Sequence, residues 1–277
     1  MKKIIFCLMA AVAVLSCSKP YVIVQVADPQ LGFDADVKGQ EPGAVYVDDL
    51  TYEVDYLNKA VAQINMIKPD AVVFTGDNVH RTTNEHQWFT LLSCIGRIHP
   101  EIKTFFVPGN HDVLTTERGV DVTPFAVYLG QDRFNYRERG VNLVGLNTNY
   151  IKFDDTKREE EQFEWLKKAL KKEKASDVTL VFGHHPFFKE DIDEDDSSQI
   201  QKSKRRRYFD LFKSLDVGAV YAGHLHHSAE GEYRGVAMKT TTSAAYQLGE
   251  DKASVRRVVL KPGNGKHLVE DSMIEVR

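Results

Sequence analysis

Five short apolar runs in this chain each lead into a cluster of oxygen or imidazole donors. The first, from Tyr21 to Ala27, ends in Asp28-Pro29-Gln30; "AVVF" leads to Gly76-Asp77-Asn78 and "TFFV" to Gly109-Asn110-His111-Asp112. "TLVF" leads to Gly183-His184-His185-Pro186, and "GAVY" to Gly223-His224-Leu225-His226-His227. One Asp or His after a strand is commonly a turn former or a surface residue. Five clusters at equivalent places are a pattern, because ligands of open α/β sheets bind at the carboxyl ends of strands. Four of the five contain a glycine, which permits tight turns and close backbone approach. The donors are Asp, Asn, Gln and His without Cys, which suits a catalytic metal site better than a closed structural zinc site. Seven candidate ligands exceed what one ion uses in an open site, so two ions sharing a carboxylate is the economical reading.

The elements that must position these donors follow from periodicity. Leu57, Ala60, Val61, Ile64 and Ile67 are spaced as on a helix that Pro69 stops. Trp88, Phe89, Leu92, Ile95 and Ile98 predict a helical face over 84–98, and Phe163, Trp165, Leu166 and Leu170 another over 158–173. A further helix is expected over 205–215. The runs "AVVF", "TFFV", "VNLV", "TLVF" and "GAVY" read as buried strands, and the tail from Gly235 alternates as antiparallel strands do, notably in "SVRRVVL". Strands alternating with helices predict α/β layers, and the late strands predict a second sheet packed on the first. The acidic-then-basic segment 190–207 reads as a solvated loop entering a helix, or as a flap that carries an arginine to an anionic substrate.

The set Asp28-x-Gln30, Gly76-Asp77-Asn78, Gly109-Asn110-His111-Asp112, Gly183-His184-His185 and Gly223-His224-Leu225-His226 resembles the calcineurin-like metallophosphoesterases. The motifs fall in that family's order across most of the chain. "ADPQLG", "LNTN" and "TTSAAYQLGED" look like a branch that includes a eukaryotic protein Ser/Thr phosphatase. The resemblance implies a four-layer αββα sandwich of two mixed sheets. It implies that Asp28, Gln30 and His226 hold one metal, that Asp77 bridges, and that Asn110, His184 and His224 complete the second. His111 would face the substrate as general acid, with Asp112 orienting it. The ions would be Mn, Fe, Zn or Mg. Gln30 stands where most relatives have His, and its neutral, hard amide oxygen favours Mn or Fe. His80, His185 and His227 are surplus as ligands and are expected in solvated or pocket-wall roles; His99 is expected at the surface.

The implied reaction is phosphomonoester hydrolysis by a water activated between the ions. The alternatives are phosphodiester or pyrophosphate hydrolysis on nucleotides or lipid head groups, and a non-catalytic anion-binding role, against which the intact GNHD argues.

The chain has 277 residues, 42% of them apolar and 27% charged, as in an ordinary globular protein. A net charge of −4 offers no global basic field to recruit nucleic acid. Lys2 and Lys3 precede a 12-residue apolar run, Ile4 to Leu15, which is too short to span a bilayer. This is the form of a signal peptide over 1–16. Val14-Leu15-Ser16-Cys17 resembles the lipobox of bacterial lipoproteins, which predicts lipidation of Cys17 and location in the bacterial cell envelope, on its periplasmic or surface side. Residues 17–20 would be anchor and linker, and 21–277 one phosphoesterase domain. So short a linker predicts a domain lying against the bilayer, its site within reach of substrates at or near the surface. Removing the signal would take the charge to −6. Of Cys7, Cys17 and Cys94, only Cys94 would remain for the fold, so no internal disulfide is expected. A monomer is expected, with a phosphorylated small molecule or head group as substrate.

Overall fold

The computed structural model describes residues 19–262 and 267–277. The signal segment 1–16 and Cys17 lie outside the described residues. In chain order the elements are β1 (Tyr21–Val26), α1 (Phe33–Gly39), α2 (Thr51–Ile67), β2 (Ala71–Thr75), α3 (Glu85–Ile95), β3 (Lys103–Val107), β4 (Leu114–Thr116), β5 (Gly119–Asp121), α4 (Thr123–Leu129), β6 (Phe134–Glu138) and β7 (Val141–Gly145). There follow α5 (Asn149–Lys152), α6 (Thr156–Ala169), β8 (Val178–Phe182), α7 (Lys202–Ser214), β9 (Val217–Ala222), β10 (Ala229–Tyr233), β11 (Val236–Thr240), β12 (Ser254–Pro262) and β13 (His267–Glu275).

One sheet has the order β13-β12-β1-β2-β3 and the other β10-β11-β9-β8-β7-β6, with β4 and β5 as a separate hairpin. The centre of each is parallel: β1, β2 and β3 in the first, and β11, β9, β8 and β7 in the second. Antiparallel strands flank both centres. The sheets are mixed, as expected.

The near-continuous apolar runs are explained by burial on both faces. Tyr21, Ile23, Ala71 and Val73 of the first sheet pack against Leu143, Leu180, Phe182 and Tyr221 of the second, in a layer between the sheets. The opposite face of the first sheet, with Val24, Val26, Val72 and Phe74, meets Leu57, Val61 and Ile64 of α2 and Trp88 and Leu91 of α3. The second sheet turns Val144, Val181 and Val220 to Phe163 and Leu166 of α6 and to Phe209 and Phe212 of α7. Four layers, αββα, result. The polar Gln25 is tolerated between the sheets because its amide bridges them, donating to Thr75 Oγ1 at 3.0 Å and the Ala222 carbonyl at 2.9 Å.

Local signals fix the helix ends. α2 stops at Lys68 in a left-handed conformation, whose N–H still reaches the Ile64 carbonyl, just before Pro69. Asn84 caps α3 by accepting from the His86 N–H at 3.0 Å. On α3 the buried stripe is Trp88, Leu91 and Cys94, the last a buried free thiol. The expected position of Phe89 on that face is corrected: Phe89 is 60% exposed and meets Tyr128 edge-on. Its neighbour Trp88 takes the core place because spacings of three from 88 match the side packed on the sheet.

The 190–207 segment is not an arginine-bearing flap. Arg205 is buried and donates to the carbonyls of Ile192, Glu194 and Ile200 and to Gln199 Oε1. Arg206 pairs with Asp193 and Arg207 with Glu160. Arg205 and Arg206 hold their own loop, and Arg207 ties the helix to α6, so all three are engaged within the fold. No helix among the described residues is long and apolar enough to cross a membrane.

Candidate metal centre

All five donor clusters lie where the two sheets present the carboxyl ends of their parallel strands. Hydrogen bonds lace the loops together: Asp28 N–H to the Gly76 carbonyl, Gln30 N–H to Asp77, and Gly223 N–H to His184. The glycines are there because another loop's ligand occupies the space of their missing side chains. A Cβ on Gly76 would lie 2.6 Å from the Gly109 nitrogen and from His184 Nδ1, and one on Gly109 or Gly223 would overlap the carboxylate of Asp77 or Asp28. Ten non-glycine residues have positive φ among the described residues, and five are candidate ligands: Asp28, Gln30, Asp77, His224 and His226. Such strained backbone at one site marks over-determined geometry.

Around His184 Nε2 stand Asn110 Oδ1 at 3.0 Å, His224 Nδ1 at 3.1 Å and Asp77 Oδ2 at 3.3 Å. Ligands bonded to one ion at 2.0–2.2 Å are separated by roughly 3.0–3.4 Å, so this set fits a single cation. His184 Nδ1 donates to the Thr75 carbonyl at 2.9 Å, which leaves the Nε2 lone pair for the centre. On the other side Asp28, Asp77 and His184 bring ligand atoms within 4.8 Å of one another. His226 Nδ1 donates to the Tyr246 carbonyl at 2.5 Å, so its Nε2, 3.9 Å from Asp28 Oδ1, is the available lone pair. Gln30 is 2% exposed, and its Oε1 is buried with no hydrogen-bond partner. A buried amide oxygen left so would cost about 1–3 kcal/mol, and a cation would supply its missing partner. The donors present therefore fit metal ions.

The buried charges of the centre act on one another. Burial pushes the Asp28 carboxyl well up, opposed by His184 and helped by Asp77. Burial also acts to raise Asp77, but His184, His111 and His224 hold it well below the carboxylate range. Burial opposes charge on His184, yet Asp77 and Asp28 lift that imidazole to about 9. Burial and then His184 push His224 down to about 3, which keeps its imidazole neutral.

His184, His185 and His224 also form a cluster of metal-ligand geometry. We read His185 as wall rather than ligand. The Thr148 hydroxyl accepts from both the His184 and His185 amides, so its own proton goes to His185 Nδ1 at 3.2 Å and the ring proton sits on Nε2. His80 is a pocket wall too, stacked on His111 with ring centroids 4.6 Å apart. His227 Nδ1 lies 3.3 Å from the Ser228 carbonyl, and His99 is exposed.

His111 donates from its main-chain N–H to Asp77 Oδ1 and from ring Nδ1 to the His80 carbonyl, each at 2.8 Å, which leaves Nε2 free at the site. The expectation that Asp112 orients this ring is corrected. The Asp112 carboxylate accepts from the N–H groups of Asn78, Val79 and Gly109 and from Asn78 Nδ2, all at 2.8–3.2 Å. Those four donors fill its lone pairs and staple the loop after β2 to the loop after β3. Burial and Asp77 push its carboxyl up to about 7 while the donors pull it down. Thr148, Asn149 and Tyr246 also support the site and were not assigned from sequence. Asn149 Nδ2 holds the Pro108 and Gly109 carbonyls. "LNTN" follows the buried strand β7, so the strand-end rule could have found Thr148 and Asn149.

Comparisons with known proteins converge on the same reading. The family model for calcineurin-like phosphoesterases matches residues 21–228. The Danio rerio serine/threonine-protein phosphatase CPPED1 is 33% identical over 269 residues, covering 90% of this chain and 84% of that protein. Among solved structures, a purple acid phosphatase from yellow lupin superposes with a TM-score of 0.63 at 11% identity, over 92% of this chain and 52% of its own. A dimetal phosphatase from Danio rerio does so with a TM-score of 0.58 at 16% identity, over 94% of this chain and 100% of its own. The family model spans most of the chain and all five donor clusters: the protein belongs to the calcineurin-like phosphoesterases, hydrolases of phosphoric ester bonds.

Proposed function

We propose that this protein hydrolyses phosphomonoesters at a two-ion centre, with His111 as general acid. Asp28, Gln30 and His226 would hold one ion, Asn110, His184 and His224 the other, and Asp77 would lie between them. Bound there, the ions supply Lewis-acid activation of water and neutralise charge on the phosphoryl oxygens. The hard amide oxygen of Gln30 favours Mn or Fe over Zn. Two observations carry the reading: the buried Gln30 Oε1 without a partner, and a His184 Nε2 ringed by three donors at 3.0–3.3 Å.

His111 is built to move a proton. Its Nδ1–H is tied to the His80 carbonyl, so Nε2 is the atom that can carry a proton to a leaving alkoxide. An alkyl monoester, of which phosphoserine is one, needs that proton, whereas an activated aryl phosphate does not. The test is turnover of an alkyl monoester, an aryl monoester and a diester by Mn-loaded protein and by His111→Ala. We expect the monoesters to be preferred and the variant to lose about 10²–10⁴-fold on the alkyl substrate and far less on the aryl one. A diester preference, or equal losses, would overturn the assignment.

We also propose that Cys17 carries a lipid anchor in the bacterial envelope. Tyr21 begins β1, and Arg139 grips the Lys19 and Pro20 carbonyls beside it. Asp28 lies past the other end of that six-residue strand, which spans about 20 Å. The site would then face away from the anchoring leaflet, which departs from the expectation that it reaches substrates at the membrane surface and supports soluble esters over head groups of that leaflet. Membrane fractionation of the full chain and of Cys17→Ser checks the anchor; equal partitioning would remove it.

A further inference from the structure

A glutamine is an ambiguous ligand. Its amide has an oxygen end and an NH₂ end of nearly the same shape, and only the oxygen can bind a cation. Some neighbour must therefore dictate which end faces the centre. Gln30 Nε2 lies 3.3 Å from His80 Nδ1. An amide nitrogen only donates, so His80 Nδ1 accepts and the imidazole proton resides on Nε2. That nitrogen lies 3.4 Å from Asp36 Oδ2. Asp36 is itself held by an ion pair with Arg81 and by Gln40 Nε2 at 2.7 Å. The imidazole has little room to turn, for Phe33 packs at 5.2 Å on it and His111 stacks at 4.6 Å.

We propose that Asp36 and His80 are positioning residues that fix the Gln30 amide with its oxygen toward the metal centre, Asp36 selecting the His80 tautomer and His80 reading out the NH₂ end. This rests on the reading of Gln30 as a ligand. The same residue sets the second functional group, since the His80 carbonyl holds His111 Nδ1. The arrangement also explains how glutamine serves where a ring nitrogen or carboxylate would need no such selection.

The experiment is calorimetric titration of Mn²⁺ into metal-free protein, with bound metal counted by elemental analysis. Asp36→Asn can present an NH₂ to His80 Nε2, shift the proton to Nδ1 and turn the amide round. We expect one of the two ions to bind about 10–100-fold more weakly and the other to be unchanged. In a Gln30→Glu background, where either carboxylate oxygen can bind, Asp36→Asn should have no effect on affinity. His80→Phe keeps a ring in the stack but cannot bond the amide, and should repeat the pattern of Asp36→Asn: weaker binding of one ion where Gln30 is present and no change in the Gln30→Glu background. Equal losses in the two backgrounds would show a merely structural role and overturn the proposal, as would full affinity in Asp36→Asn and His80→Phe. Gln30→Ala separates the underlying reading: if it leaves both ions at full affinity, Gln30 is not a ligand and the failure lies there.

Discussion

Replacing Asp112 by alanine distinguishes a loop staple from a partner of His111. The carboxylate satisfies three main-chain N–H groups, those of Asn78, Val79 and Gly109, and the side-chain amide of Asn78, in a fully buried place. Asp112→Ala leaves these donors without acceptors. At the low end of about 1 kcal/mol per orphaned buried donor, the three main-chain groups alone give about 3 kcal/mol. Relief of a buried charge and entry of water work against larger values. In a chain of this size that loss lowers the midpoint of thermal unfolding by roughly 6–12 °C. His111→Ala removes a half-buried ring and should shift it little. The assay is a double-mutant cycle of Asp112→Ala and His111→Ala, read both in denaturant unfolding and in kcat/KM. If Asp112 acts on the loops, Asp112→Ala should lower kcat/KM further in the His111→Ala background, since the same loops also carry Asp77 and Asn110. The reasoning is refuted if Asp112→Ala keeps full stability while reproducing the His111→Ala defect and adding nothing to it.

Glu53 is fully buried, and burial pushes its carboxyl from 4.5 to about 7. An acid with a raised folded pKa is protonated in both states below the unfolded value and costs stability once ionised. Stability should therefore fall by about 3 kcal/mol between pH 4.5 and 7, and the difference between wild type and Glu53→Gln in urea melts across that window should show it. Gly109→Ala places a methyl on the Asp77 carboxylate, so it should abolish Mn²⁺ binding by calorimetry and cost roughly 1–3 kcal/mol of stability. Arg205→Ala removes four hydrogen bonds that hold residues 192–200, and should open that segment to limited proteolysis while leaving KM for a monoester unchanged. A raised KM in an otherwise stable protein would restore the arginine to substrate binding.

Most of the architecture was legible because the signals were local. Runs such as Ala71–Thr75 and Val178–Phe182 are apolar without alternation, and only strands covered on both faces read that way. The donors announced themselves by falling directly after such runs. What was not legible depends on three-dimensional neighbours. Nothing in "GNHD" says that the last residue bonds the loop after β2 rather than the histidine beside it; the match of four N–H donors exists only once β2 and β3 are paired. The exposure of Phe89 could not be read either, because Trp88 and Phe89 fit a helical stripe about equally until the sheet selects a side. Short elements such as α1, α4 and the β4–β5 hairpin carry too few residues for a period to show.

The backbone of the centre shows where its geometry comes from. Five candidate ligands adopt left-handed φ values between 38° and 71°. At about 1–2 kcal/mol for a non-glycine residue, that is roughly 5–10 kcal/mol, comparable with the net stability of a whole domain. The strands feeding these turns offset it. Val24, Val26, Phe74 and Val220 are almost fully buried just before the ligands, and a buried side chain of this kind contributes about 1.5–3 kcal/mol. The loops then lock one another through Gln30 to Asp77, Gly223 to His184 and Ala244 to Ala27 main-chain bonds. The packed strands and interlocked loops thus help to hold the donors at ligand spacing against their own conformational preference. In small zinc domains the ion supplies the folding free energy. Here two packed sheets contribute to it as well, and a cation would meet donors held in strained turns by those sheets.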